Sequence, residues 1–227
     1  MSFPQSATHE RLLIVSDVDS TFIGQEVIDL IAERAGTGAE VAAITASAMA
    51  GQLDFAASLR ARVATLAGTP IGVLAEVREL VTLTPGVPEL LAWAARCGHV
   101  MGLVSGGFHE IIDPIAAPLG IRYVRANRFA TDGEVLTGEV DGPIVDRLGK
   151  RAALEEFAAL EGLPIAATVA IGDGANDLDM LARAGISVAF GDRQLVQEQC
   201  DLVLRSHRLD ELIPLLDRRP GATDPEH

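Results

Sequence analysis

The chain has 227 residues, with 18 Lys and Arg against 32 Asp and Glu, and a formal net charge of −14. A surface this acidic excludes broad nucleic-acid binding, which needs cationic groups to neutralise phosphates, and no apolar run reaches the roughly 18 residues of a membrane span. The length allows one domain, or a core with a smaller insert, and about 70 % of the unfolded surface can be buried without staples; Cys97 and Cys200 make no disulfide framework and fit a reduced, cytoplasmic setting.

Residues 1–10 show no basic-then-apolar export signal, and residues 218–227 (RRPGATDPEH) are polar and proline-containing; both ends are expected to be flexible. The first element is an apolar run over 12–16 (LLIVS) that ends in acidic residues, which suits a strand buried on both faces of a parallel sheet. From 26 to 80 the texture becomes helical. Four helices are expected, at 26–35, 39–50, 54–66 and 71–80, punctuated by Gly36, Gly51 and Gly68-Thr69-Pro70. This run of helices without a strand reads as an inserted helical subdomain over residues 25–81. The main domain then comprises 11–24 and 82–217.

Beyond residue 84 strands and helices alternate. A helix is expected at 88–97 and a strand at 99–104. A helix follows over 108–119, strained by Pro114 and Pro118. Strands at 123–129 and 134–139 flank the turn Thr131-Asp132-Gly133, giving a small β-hairpin. Helix 150–161, strand 168–171, helix 177–184 and strand 186–190 come next, then helix 194–199, strand 201–204 and a closing helix over 209–216. This order predicts an α/β fold: a doubly wound parallel sheet with an inserted helical cap. Its ligand site should lie beyond the carboxyl ends of the strands.

Three clusters fall just after predicted strands: Asp17-Val18-Asp19-Ser20-Thr21, Ser105-Gly106-Gly107, and Gly172-Asp173-Gly174-Ala175-Asn176-Asp177. All should converge at one sheet edge. There Asp17, Asp19 and Asp173 would repel one another, and a hard cation such as Mg²⁺ with oxygen ligands would relieve the repulsion. Ser105, Lys150 and glycine N–H groups could hold phosphate oxygens. Two aspartates two residues apart also permit one nucleophile and one general acid and base. Each cluster alone reads equally as a turn, a helix cap or a loop, and Lys150 alone as a solvated residue in a first helical turn. Their combination and order carry the chemistry.

The series DxDST, SGG, Lys and GDGxND resembles the haloacid-dehalogenase-type phosphatases. The stretches DVDSTFIGQEVID (17–29), AMAGQLDF (48–55), SLRARV (58–63), Thr84-Pro85-Gly86, VSGGF (104–108), Ala126-Asn127-Arg128 and AIGDGAND (170–177) are similar to the phosphoserine phosphatase branch. Phe22 stands where that branch usually has leucine, and no extra N-terminal regulatory region is expected. The resemblance implies a Rossmann-like core and hydrolysis of O-phospho-L-serine through an aspartyl-phosphate, the last step of serine biosynthesis. Asp17 would be the nucleophile and Asp19 the acid and base. Mg²⁺ would be held by Asp17, the Asp19 carbonyl and Asp173, with Asp177 supporting. Ser105, Gly106, Lys150 and Asn176 would bind phosphate. Glu26 would take the substrate ammonium and Arg62 its carboxylate, with Met49 and Phe55 close by.

On the residues alone, Glu26 reads equally as an acid favoured at a helix start, and Arg62 as a solvated helix residue at the margin of an apolar stripe. His109, next to the SGGF stretch, has no required role. The alternatives are a phosphatase or phosphotransferase acting on another small phosphorylated amine or amino acid, and a phospho-accepting signalling module. A monomer or homodimer is expected, with neither nucleic acid nor membrane as partner.

Overall fold

The computed structural model describes residues 11–217, so the expectations for 1–10 and 218–227 lie outside the described residues. Strand β1 (Leu13–Ser16) is buried at every position, because it is flanked on both sides. It pairs in parallel with β2 (Val100–Phe108) and with β5 (Thr168–Gly172). The remaining strands are β3 (Tyr123–Asp132), β4 (Val135–Asp141), β6 (Ile186–Phe190) and β7 (Leu202–Leu204). They form one sheet in the order β4-β3-β2-β1-β5-β6-β7. Every neighbouring pair is parallel except β3 and β4. The chain steps outward from β1 through β2 to β3, then returns to the far side of β1 as β5. The gap between β1 and β5 is thus the topological switch point, where a crevice opens beyond the strand ends.

Alternation along β1 distributes the core. Leu13 and Val15 join Leu154 and Phe157 of α7 (Arg147–Leu160) and Leu181 of α8 (Leu178–Arg183). Ile14 joins Leu90 and Trp93 of α5 (Val87–Cys97) and Ile111 of α6 (His109–Ala116) on the other face. Apolar side chains at a period of two therefore require helices on both sides, the doubly wound arrangement expected from the sequence.

Between β1 and α5 lie four helices: α1 (Val27–Ala35), α2 (Gly38–Met49), α3 (Phe55–Ala64) and α4 (Val73–Leu80). Ile31, Leu59 and Val63 from this layer share one apolar cluster with Ile14 and Leu103 of the sheet. The chain enters and leaves the layer side by side. Gly24 N–H donates to Thr82 O at 3.0 Å, and Ile23 bridges Leu83. The Gln25 amide clasps Thr82 twice, at 2.8 and 3.0 Å. At the far end, the link between α3 and α4 docks on the β3–β4 hairpin. Gly68 N–H donates to Leu136 O at 2.8 Å and Ile71 N–H to Glu134 O at 2.9 Å.

Several boundaries differ from those expected. β2 runs through Ser105-Gly106-Gly107 and shifts register against β3 between Val104 and Phe108; the glycines, poor strand formers, conceal this continuation. α7 starts at Arg147, because Asp146 caps it by accepting Gly149 N–H at 2.9 Å. Gly149, a weak helix former, masked that first turn. The expected hairpin is present as β3 and β4, and it forms one edge of the sheet, since β3 also pairs with β2. The helix expected over 108–119 is α6 with Pro114 inside it, followed by a tighter turn through Pro118.

Candidate active site

β1 and β5 deliver their terminal residues to the switch point. Asp17 follows β1 directly, and its N–H is fixed by Ile171 O at 2.9 Å. Asp173 follows β5. The carboxylates of Asp17, Asp173 and Asp177 offer oxygens within 4.8 Å of one another. Lys150 reaches this group from α7, fully buried, and donates to Asp17 Oδ1 and to Asp177 Oδ1, each at 2.6 Å. Asp177 Oδ2 accepts Gly174 N–H at 2.9 Å. This last bond folds the loop after β5 so that Asp173 faces Asp17.

Three carboxylates against the Lys150 ammonium and the looser Arg193 guanidinium, 3.5 Å from Asp173, leave the site with an excess of negative charge. Burial lifts the Asp17 carboxyl well above the ordinary carboxylate range, Asp177 adds to the lift, and Lys150 opposes it. Burial likewise pushes Asp173 up to about 6, aided by Asp177 and resisted by Arg193. For Lys150, burial alone would lower the pKa, but Asp17 and Asp177 outweigh it and raise it. A set of closely spaced hard oxygens with excess negative charge fits a divalent cation, and Asp17, Asp173 and Asp177 are the side chains positioned to hold one.

Asp19 is placed by a different device. After β1 the backbone turns through Ser20, held in the left-handed region at φ 58°. Asp19 then points two ways: Oδ1 accepts Val27 N–H at 2.8 Å, capping α1 from eight residues upstream, and Oδ2 accepts the Ser105 hydroxyl at 2.8 Å. Ser105 Oγ in turn accepts Gly107 N–H at 2.7 Å. Burial, reinforced by Glu26, brings the Asp19 carboxyl up to about 6 against the pull of these bonds. Such a group can both give and take a proton near neutrality. A Cβ on Gly107 would meet Asp19 Oδ2 at 2.8 Å, so only glycine permits this approach.

Asp17, Asp19, Asp173, Gly106 and Asn176 line a cavity of about 450 Å³ whose opposite wall is helical. Glu26, Thr45, Met49, Phe55 and Arg62 complete it. Ser105, Lys150 and Asp177 stand behind this lining: Ser105 is bonded to Asp19, Lys150 to Asp17, and Asp177 to Lys150. Every candidate residue named from the sequence thus lies in the cavity or within two hydrogen bonds of it. Glu26 accepts the Ser20 hydroxyl at 2.7 Å. Arg62 is lowered from its ordinary pKa by burial, with Asp29, Glu26 and Asp19 acting in the other direction, and its Nε has no hydrogen-bond partner. Phe55 presses on the core: a Cβ at Gly106 would lie 2.6 Å from its ring. His109 points elsewhere, pairing with Asp113 at 2.8 Å and with Ala126 N at 3.1 Å.

The sequence reading missed Arg193, whose guanidinium pairs with Asp173 at 3.5 Å. It follows β6 by three residues, so the strand-end rule that located Asp17 and Asp173 would have found it. It also missed Thr45 and Asp29, for which only the helical wall supplies a reason.

A model of the haloacid dehalogenase-like hydrolases matches residues 14–182. The chain is 48% identical over 210 residues to a protein named phosphoserine phosphatase SerB2 from Mycobacterium tuberculosis; the match covers 92% of this chain and 51% of that protein. The chain therefore spans about half the length of that relative. It is 45% identical to a phosphoserine phosphatase from Streptococcus thermophilus, covering 90% of this chain and 95% of that one. A solved structure described as a phospho-aspartyl intermediate analogue of phosphoserine phosphatase superposes with a TM-score of 0.85 at 37% identity, covering 91% of this chain and 99% of the other. Among the described residues no helix is long and apolar enough to cross a membrane.

Proposed function

The chain belongs to the haloacid dehalogenase-like hydrolase family, and from that footing we propose that it hydrolyses O-phospho-L-serine to L-serine and phosphate. The observation that carries this reading is a single cavity with the Asp17 cluster on one wall and a partly buried Arg62, its Nε unpartnered, on the other. A phosphorylated amino acid matches both walls: phosphate for the sheet edge, carboxylate for the planar guanidinium fork.

Asp17 attacks phosphorus, forming an aspartyl-phosphate as the bond to the serine oxygen breaks. Asp19 gives that oxygen its proton. It then removes a proton from the water that attacks the aspartyl-phosphate, releasing phosphate and restoring Asp17. Lys150 orients the Asp17 carboxylate and faces the transferred phosphoryl group. Ser105, Gly106 N–H and Asn176 hold its oxygens, while Glu26 takes the substrate ammonium and Arg62 the carboxylate. Asp17, the Asp19 carbonyl and Asp173 would hold Mg²⁺, with Asp177 supporting. When bound, the cation would neutralise charge gathering on the phosphoryl oxygens. Residues 25–81 serve as a cap over a core made of 11–24 and 82–217, and closing it excludes water. The setting is cytoplasmic, the protein a monomer or homodimer, and the reaction the final step of serine biosynthesis.

The relatives named for this activity support the reading. The test is phosphate release with Mg²⁺ from L-phosphoserine, phosphothreonine, phosphoethanolamine and glycerol phosphate. L-Phosphoserine should be cleaved with the highest kcat/KM, a chelator should abolish release, and added Mg²⁺ should restore it. Equal rates on phosphoserine and phosphoethanolamine would overturn the assignment.

A further inference from the structure

Helix α2 carries two hydroxyl side chains near its carboxyl end, and they behave differently. Ser47 Oγ donates to Ala43 O, four residues back, at 3.1 Å, the ordinary way for a hydroxyl inside a helix to satisfy itself. Thr45 makes no such bond. Its Oγ1 is sealed from solvent and has no hydrogen-bond partner. A desolvated, unpartnered hydroxyl destabilises the free protein, and in native structures such an atom calls for an explanation.

Its position supplies one. Thr45 lines the same cavity as Arg62, and the Arg62 Nε is likewise sealed and unpartnered. The two residues come from successive helices, α2 and α3, on the wall facing the Asp17 cluster. Thr45 also stands one helical turn from Met49, which lines the cavity too. A donor and a guanidinium Nε that both lack partners on one wall of the cavity would both be met by an anion seated there, once the hydroxyl turns toward it. A carboxylate has about four lone-pair sites, more than an arginine fork occupies.

We infer that Thr45 is a specificity residue whose hydroxyl donates to the substrate carboxylate alongside Arg62. The inference rests on the phosphoserine reading and deepens it. The ammonium is left to Glu26, and Thr45 takes no part in phosphoryl transfer.

The experiment compares wild type, Thr45→Val and Thr45→Ser on L-phosphoserine and on phosphoethanolamine, which keeps the ammonium and phosphate but lacks the carboxylate. Thr45→Val preserves shape and removes the donor. It should raise KM for phosphoserine about tenfold, leave kcat within about twofold, and leave both constants for phosphoethanolamine unchanged. Thr45→Ser keeps the donor and should restore the phosphoserine KM. Because the free protein loses an unsatisfied hydroxyl, the Tm of Thr45→Val should hold or rise. Equal losses on both substrates, or a phosphoserine KM that does not move, would overturn the Thr45 assignment while the phosphoserine reading stands. A wild type that does not prefer phosphoserine removes the reading itself and this inference with it.

Discussion

Two basic residues on opposite sides of the cavity, Lys150 behind its sheet wall and Arg62 in its helical wall, are in opposite states. Lys150, at the sheet edge, is fully buried and has a carboxylate on either side at 2.6 Å. Arg62, in the helical wall, is partly buried and its Nε has no partner. The same division extends to their neighbours. Asp177 and Ser105 each complete their bonds within the protein, whereas Thr45 does not. The side chains at the sheet edge are therefore fixed before substrate arrives, as preorganised electrostatic stabilisation requires, with excess negative charge left to a cation. The helical wall is left incomplete, and on the proposed reading the substrate supplies the missing partners. On the proposed reading, the groups that act on phosphorus are fixed at the strand ends and by the helix packed behind them, and those that recognise the substrate lie on the helical wall.

Three substitutions probe that division, in falling order of effect. Asp17→Asn removes the proposed nucleophile and should lower kcat by at least about 10⁴-fold, equally for phosphoserine and phosphoethanolamine, as read by phosphate release. A selective loss on one substrate would show that Asp17 also recognises, and the division would fail. Lys150→Met leaves Asp17 and Asp177 adjacent and uncompensated. It should destabilise the fold by roughly 3–5 kcal/mol, measured by denaturant unfolding, besides depressing turnover. Arg62→Ala should raise KM for phosphoserine roughly 10–100-fold with phosphoethanolamine little affected. Its stability should stay within about 1 kcal/mol of wild type, because the lost group carries an unmet desolvation penalty of its own. An Arg62 variant as unstable as the Lys150 variant would erase the contrast between the two walls.

The sheet edge was the more legible of these regions. LLIVS before Asp17 and ATVAIG before Asp173 are apolar runs ending in acid, and a parallel sheet brings such ends together regardless of the rest of the sequence. Lys150 was legible as a member of the Asp17 cluster but not in its environment: a lysine near a helix start reads as solvated until the two aspartates that surround it are known. The helical wall resisted reading for a related reason. Whether Thr45 satisfies itself as Ser47 does depends on local packing, and the sequence pattern treats the two hydroxyls alike. Gly149 and the pair Gly106-Gly107 misled by propensity, because a cap at Asp146 and close contacts to Phe55 and Asp19 override the local preference.

The doorway to the helical layer has a consequence of its own. Gly24 and Thr82 are one hydrogen bond apart, at 3.0 Å, so the chain leaves the sheet and comes home at practically the same point. A loop closed so tightly at its base can be exchanged for a longer, shorter or differently shaped one while the strands beneath keep their register. Evolution could in this way retailor the helical wall of the cavity without touching the Asp17 cluster at the strand ends.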